Sequence, residues 1–303
     1  MDYKLELEKL NANMIEDNGL VEVYFDEKTD FIKHIVDLHN IDIEFNEEKE
    51  CFVLNEYEPQ SIEKFIEKVS LRPTIVFDMD GVIMNTNGSF PVVTSQTYKH
   101  FTGEELTFEE INEIKYRGGF NSDWDILMYL FDERDFDVKF EDMAKYYMDI
   151  YFDGKGGLID AETLILTEDC VKELIKNYNL AIFTGRDKAS ATYTVNKWNL
   201  KKYFYPIITF ENVGWNHQKP DTKGVSIIKE KVIADEIYYL GDTVDDMICA
   251  RNSKVNGVGV LPPRDKSEKL KSRLLEEGAV TVLETTTDLP DFLSQRKNLI
   301  TNM

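Results

Sequence analysis

The sequence predicts an α/β protein: a parallel-sheet core, a helical segment inserted after its first strand, and a small α+β unit in front. Three observations carry this. Short apolar runs recur at residues 74–77, 180–183, 207–210, 237–240 and 258–261, and continuous runs of that length suit strands buried on both faces of a parallel sheet. From residue 160 onward these runs alternate with segments of helical apolar spacing, the rhythm of strands joined by covering helices. Between residues 84 and 160 the spacing is helical almost throughout.

At 303 residues the chain exceeds one average domain. The divisions expected are a small α+β unit over 1–70, a core over 71–83 and 161–303, and a helical cap over 84–160. Acids outnumber bases 57 to 35, a net charge of −22, which argues against nucleic acid or an anionic membrane as partner. An anionic substrate must therefore be drawn in by local cations. Cys51, Cys170 and Cys249 are odd in number and widely spaced, neither a disulfide framework nor a zinc knuckle, so a reducing, cytoplasmic setting is expected. The stretch Met1 to Glu6 lacks an apolar leader core and no apolar run approaches membrane-spanning length, so neither export nor membrane insertion is expected.

In the first unit, 20–25 reads as a strand. Phe31, Ile32, Ile35, Val36 and Leu38 have helical spacing, 41–45 and 51–54 read as strands, and a helix follows from Ser61 through Phe65 and Val69. That order, β-α-β-β-α, is a two-layer α+β unit without a chemical motif. Its expected role is packing or interaction, including homo-oligomer formation. His34 and His39 lie five apart, off the i, i+4 metal spacing, and read as structural. In the cap, helices are expected over 94–101, 108–116, 123–131 and 140–151. The turn from Arg117 to Trp124 joins flexible backbone to a cation, an amide and two aromatic rings. Gly154-Lys155-Gly156-Gly157 follows no strand and lacks phosphate-loop spacing, so it reads as a hinge. Downstream, helices at 168–178, 189–198, through 231 and through 251 separate the remaining strands, giving a Rossmann-like parallel sheet covered on both faces.

Reactive residues stand at the strand ends, where open α/β sheets place their ligands. Asp78 and Asp80 close the first strand and Thr184-Gly185-Arg186 the second. Lys219-Pro220-Asp221 precedes a helix, and Gly241-Asp242 with Asp246 closes the fourth strand. Adjacent buried acids are costly unless a cation or a shared proton offsets their repulsion. Singly, each residue has a plainer role. Thr184 and Asp242 can cap helices, Lys219 can be a solvated loop lysine, and Asp246 suits a helix dipole. Asp245, the neighbour that does not fit the spacing, reads as solvated.

Taken together, D-x-D-G-V, T-G-R, K-P-D and G-D-x-x-x-D in this order resemble the haloacid dehalogenase superfamily, subfamily I, in its phosphatase branch with a helical cap. The resemblance covers about residues 73–290, and the cap's R-G-G-F-N-x-D-W looks like one subfamily of that branch. It implies a Mg²⁺-dependent phosphatase acting on a small phosphorylated metabolite. Asp78 would be the nucleophile, forming an aspartyl-phosphate. Asp80 would protonate the leaving oxygen and then deprotonate water, a role that calls for a raised pKa. Thr184 and Lys219 would hold the phosphoryl oxygens. Mg²⁺ would take the Asp78 carboxylate, the Asp80 carbonyl, Asp242 and, directly or through water, Asp246. Gly185, Arg186, Arg117, Asn121 and Trp124 would contact substrate, with Arg117 on a second anionic group. A phosphoryl-transfer mutase would share every core residue. A binding protein on a degenerate phosphatase fold should have lost Asp78, Asp80 or Lys219, and all three are present.

Overall fold

A computed structural model describes residues 2–120 and 122–301. The front unit runs α1 (Tyr3–Lys9), β1 (Asn13–Asp17), β2 (Leu20–Tyr24), α2 (Thr29–Leu38), β3 (Glu44–Asn46), β4 (Cys51–Asn55) and α3 (Pro59–Val69). The first core strand β5 (Thr74–Phe77) leads to β6 (Met84–Asn85). The cap helices follow as α4 (Phe90–Thr102), α5 (Phe108–Lys115), α6 (Asp123–Glu133) and α7 (Phe140–Tyr151). The chain returns through β7 (Thr163–Leu164), α8 (Glu168–Leu174), β8 (Asn179–Phe183), α9 (Lys188–Lys197), β9 (Ile207–Ile208), α10 (Phe210–Val213) and α11 (Lys223–Lys231). It closes with β10 (Ile237–Gly241), α12 (Val244–Asn252), β11 (Asn256–Val260), α13 (Glu268–Glu276), β12 (Thr281–Leu283) and α14 (Leu289–Thr301).

Six parallel strands form the main sheet in the order β12-β11-β10-β5-β8-β9. All four residues of β5 and all five of β8 are buried, as their unbroken apolar runs require. The chain winds outward in both directions from the β5/β10 boundary, so the crevice beyond the carboxyl ends of these two strands is the topological switch point where such sheets bind ligands. Asp78 and Asp242 follow directly from them.

The front unit is an antiparallel sheet, β1-β2-β4-β3, with α1, α2 and α3. It contains one helix and one strand more than the sequence reading: α1 and β1, the latter exposed almost throughout. Asn18 and Gly19 form the two-residue loop between Asp17 and Leu20 with φ of 50° and 83°, the left-handed pair that matches hairpin twist. This unit does not have a core to itself. Ile32, Ile35, Phe52, Phe65 and Val69 belong to one continuous apolar cluster with Ala181, Phe183, Val225, Ile228 and Ala250. Lys28 seals the junction by donating to the Lys229, Glu230 and Val232 carbonyls at the carboxyl end of α11, where a cation complements the helix dipole.

The cap helices close around their own cluster, including Tyr98, Ile126, Leu130, Phe131 and Tyr147. The two crossings between core and cap, β6 and β7, pair with each other antiparallel. These crossings join cap to core, whereas Gly154–Gly157 is a turn within the return from α7, where Asp153 accepts the Lys155 and Gly156 N–H groups. No helix among the described residues is long and apolar enough to cross a membrane.

Candidate active site

At the switch point, carboxylate oxygens of Asp78, Asp242 and Asp246 all lie within 4.8 Å of one another, and all three residues are buried. Lys219 Nζ sits between two of them, 2.5 Å from Asp78 Oδ1 and 2.8 Å from Asp246 Oδ1. Burial alone would depress the Lys219 pKa, but Asp246 and Asp78 more than reverse this, so its ammonium is held charged. Burial pushes the Asp78 carboxyl well above the usual range, with Lys219 pulling the other way. The Asp242 carboxyl is raised to about 6, again by burial, against the pull of Arg264, whose Nη2 lies 2.9 Å from Asp242 Oδ2.

Asp246 is the most heavily committed of the three. Its Oδ1 accepts from Tyr239 at 2.8 Å as well as facing Lys219, and its Oδ2 closes a capping box with Thr243 at the start of α12. No hydrogen bond reaches Asp78 Oδ2 or Asp242 Oδ1 from the described residues. Buried carboxylate oxygens gathered this closely suit a hard divalent cation. Gly81 supports that fit. It has φ +77°, and a Cβ there would lie 2.2 Å from Asp242 Oδ2. The residues present therefore match a Mg²⁺ site.

Asp80 stands apart from this cluster. It meets a guanidinium: Arg186 Nε reaches its two oxygens at 2.9 and 3.2 Å, and Nη2 reaches Oδ1. Arg186 also donates to Glu162 Oε2 at 2.8 Å and Thr194 Oγ1 at 2.7 Å. The guanidinium placed by the sequence among the substrate contacts is thus spent on protein groups, and it positions Asp80. Glu162, just before β7 at the cap crossing, has a side chain 1% exposed and also accepts from Ser89. Sequence reasoning passed over it because no motif contains it. Thr184 is fully buried, and its hydroxyl accepts the Arg186 N–H at 3.1 Å.

Asp78 and Asp80 open into a cavity of about 140 Å³ between core and cap. Gly185, Arg186 and Trp124 line it, together with Phe90, Tyr147, Tyr151, Phe210 and Trp215. Trp124 of the cap and Trp215 of the core stack with ring centres 6.2 Å apart. Arg117 does not reach this space. It is exposed and donates to the Tyr129 hydroxyl at 3.1 Å, because Gly118 and Gly119, at φ 78° and 79°, turn the chain after it. The cations that do line the cavity from outside the motifs are Lys115 and Arg264. Asn121 lies outside the described residues. Asp245, expected to be solvated, is buried and accepts the Gly119 N–H at 2.8 Å. It ties the cap turn to α12, and burial raises its carboxyl to about 6.

A family model described as haloacid dehalogenase-like hydrolase matches residues 75–260. An imidazoleglycerol-phosphate dehydratase of Phytophthora nicotianae is 26% identical over 208 residues, 65% of this chain, and the chain spans only 45% of that relative's length. A pyrophosphatase PpaX of Bacillus pumilus is 23% identical over 190 residues, 62% of this chain and 82% of its own. Among solved structures, a conserved haloacid dehalogenase-like protein from Agrobacterium tumefaciens matches with a TM-score of 0.57 at 19% identity, covering 75% of this chain and 100% of that one. A likeness at that identity speaks for the fold.

Proposed function

The chain belongs to the haloacid dehalogenase-like hydrolases, and from that premise we propose that it is a Mg²⁺-dependent phosphatase that cleaves a small phosphorylated metabolite through an aspartyl-phosphate on Asp78. The observation that carries this reading is the Asp78–Lys219–Asp246 arrangement beside Asp242, a nucleophile and a fixed cation next to the cavity between core and cap. The name of one relative, a pyrophosphatase, supports phosphoryl chemistry.

Asp78 Oδ1 is held by Lys219, which leaves Oδ2 to attack phosphorus. The ester oxygen departs as the Asp78–phosphorus bond forms, and water later releases phosphate and restores the carboxylate. Lys219 balances charge at Asp78 throughout, and Asp246 holds Lys219 in place. Asp80 Oδ delivers a proton to the departing oxygen and then receives one from the attacking water. To do so it must turn from Arg186, and Glu162 remains to balance the guanidinium it leaves. When bound, Mg²⁺ would be held by Asp78 and Asp242, with Asp246 behind them, and would supply Lewis-acid stabilisation of the phosphoryl oxygens. The Trp124–Trp215 stack and the Asp245–Gly119 hydrogen bond hold the cap down and exclude bulk water.

Phosphate release from a panel of small esters, with and without Mg²⁺, tests the reading. Asp78→Asn, which removes the attacking oxygen at constant volume, should abolish turnover while leaving thermal unfolding cooperative. Undiminished turnover in that variant would refute the mechanism.

A further inference from the structure

Three cations line the cavity, and their partners separate them into two kinds. Arg186 is saturated by Asp80, Glu162 and Thr194. Lys115 and Arg264 are not. Lys115, the last residue of α5, has one carboxylate partner, Asp123 Oδ1 at 2.7 Å. Arg264, in the Pro-Pro-Arg loop after β11, has Asp242 Oδ2 at 2.9 Å and, among the described residues, otherwise only Thr86 Oγ1 at 3.5 Å. Their side chains are 20% and 18% exposed, so both are partly desolvated yet reachable from the cavity.

The two ion pairs lie within each other's field. Lys115 acts on Asp242, the partner of Arg264, and Arg264 acts on Asp123, the partner of Lys115. Cap and core thus each bring one cation to the same side of the cavity, and the neighbouring cleft is lined by the same two side chains. Arg264 spends Nη2 on Asp242 Oδ2 while Asp242 Oδ1 receives no hydrogen bond from the described residues, so a metal on Oδ1 leaves that pair in place and the other donors of Arg264 available to the cavity it lines. A guanidinium presents a planar fork of donors that matches carboxylate or phosphoryl oxygens. Asp78, Asp80, Asp123, Asp187 and Asp242 also line the cavity, so an anion entering it depends on these two cations and on Arg186.

The remaining walls carry the rings of Phe90, Trp124, Tyr147, Tyr151, Phe210 and Trp215 alongside polar side chains such as Ser122, Ser190 and Gln218. About 140 Å³ is close to the roughly 150 Å³ that accommodates a benzene ring, which leaves room for a phosphoryl group and a few further heavy atoms.

Building on the phosphatase reading above, we infer that Lys115 and Arg264 select a substrate whose leaving group carries a second anionic group within a few atoms of the scissile bond. The class is a short, doubly anionic phosphate ester or phosphoanhydride, with a carboxylate or a second phosphoryl group as the second anion. Neutral sugar phosphates fall outside it for want of that anion.

The test compares kcat/KM of the Mg²⁺-loaded protein for ethyl phosphate, 2-phosphoglycolate, inorganic pyrophosphate and glucose 6-phosphate. One of the two doubly anionic compounds should exceed ethyl phosphate by about tenfold or more, the equivalent of one charge-assisted hydrogen bond. Which of them does so distinguishes the carboxylate from the phosphoryl source. Lys115→Gln and Arg264→Gln should each collapse that ratio, and Lys115→Arg should restore most of it. Calorimetric binding of the preferred compound to Asp78→Asn protein should weaken by about tenfold or more when Arg264→Gln is added, a readout that needs no turnover. Equal preference for ethyl phosphate, a ratio unmoved by either substitution, or an equal loss on every ester overturns the inference and leaves the phosphatase reading standing. Failure to hydrolyse any of the four overturns both.

Discussion

Replacing Asp245 with asparagine should make this protein more stable and a poorer enzyme. Asp245 is buried at the start of α12, and its Oδ1 accepts the Gly119 N–H of the cap turn at 2.8 Å. Burial raises its carboxyl from 3.8 to about 6, with the Gly119 hydrogen bond opposing the rise. The folded pKa lies above the unfolded one, so the folded state holds the proton more tightly. Stability from this group is therefore full below about pH 4 and is lost as pH climbs through 6. At about 1.4 kcal/mol per pH unit, the ionised carboxylate costs the folded state about 3 kcal/mol at pH 7.5. Asparagine keeps an acceptor oxygen but weakens the hydrogen bond by about 1 kcal/mol. Asp245→Asn should thus gain about 2 kcal/mol at pH 7.5 and almost nothing at pH 4. Denaturant unfolding of both proteins across that range, in metal-free buffer, measures the difference. Cap docking loses the same hydrogen-bond increment, so KM should rise about fivefold. A variant no more stable than the parent at pH 7.5, or a difference independent of pH, would refute the reasoning.

Further expectations concern the metal and the front sheet. Burial also holds the Asp242 carboxyl at about 6 and that of Asp78 well above the usual range, so the metal-free protein should lose stability as pH rises from 4 through 6. Mg²⁺ should raise the unfolding temperature markedly at pH 7.5 and little at pH 5; the reverse order would count against these carboxylates as ligands. EDTA should abolish turnover and Mg²⁺ restore it, whereas Ca²⁺, which accepts looser and higher coordination, should inhibit; full activity in Ca²⁺ alone would exclude the proposed site. A chain beginning at Ser70 should unfold at much lower temperature or aggregate, because Val225, Ile228 and Phe183 lose the apolar partners they share with the front sheet. An unchanged unfolding temperature for that shortened chain would show that the shared cluster contributes little.

The core was legible because its strands are buried on both faces and its chemistry sits at their ends. Apolar runs and the residues that close them located β5, β8 and β10 along with Asp78, Asp80, Thr184 and Asp242. The four cap helices were legible for a related reason, since each buries one apolar stripe in a cluster of its own. Three-residue β12 and exposed β1 gave no comparable pattern, although Asn18-Gly19 is a hairpin signal that could have placed β1. Arg264 was within reach of the rule that strand ends carry reactive residues, since it follows β11 by four positions. Lys115, Glu162 and Asp245 were not. Each acquires its role from a partner outside its own element, Asp123 across a turn, Arg186 across the cap crossing and Gly119 across the cap–core boundary. Arg117 shows the same limit from the other side: the right residue type, aimed at Tyr129 by two glycines.

The apolar cluster that unites the front sheet with the main sheet also sets a timetable for the ribosome. Residues up to Val69 emerge early, but their partners Ala181, Phe183, Val225 and Ala250 come far later in the chain. At typical elongation rates of about 5–20 residues per second, the interval from residue 70 to residue 250 lasts roughly 10–35 s. Throughout it, Ile32, Ile35 and Phe65 lack those later members of their cluster, a state in which neighbouring nascent chains on one message can adhere. The acidic excess that plays no part in the chemistry, 57 carboxylates against 35 cations, gives those unfinished chains a mutual repulsion while they wait.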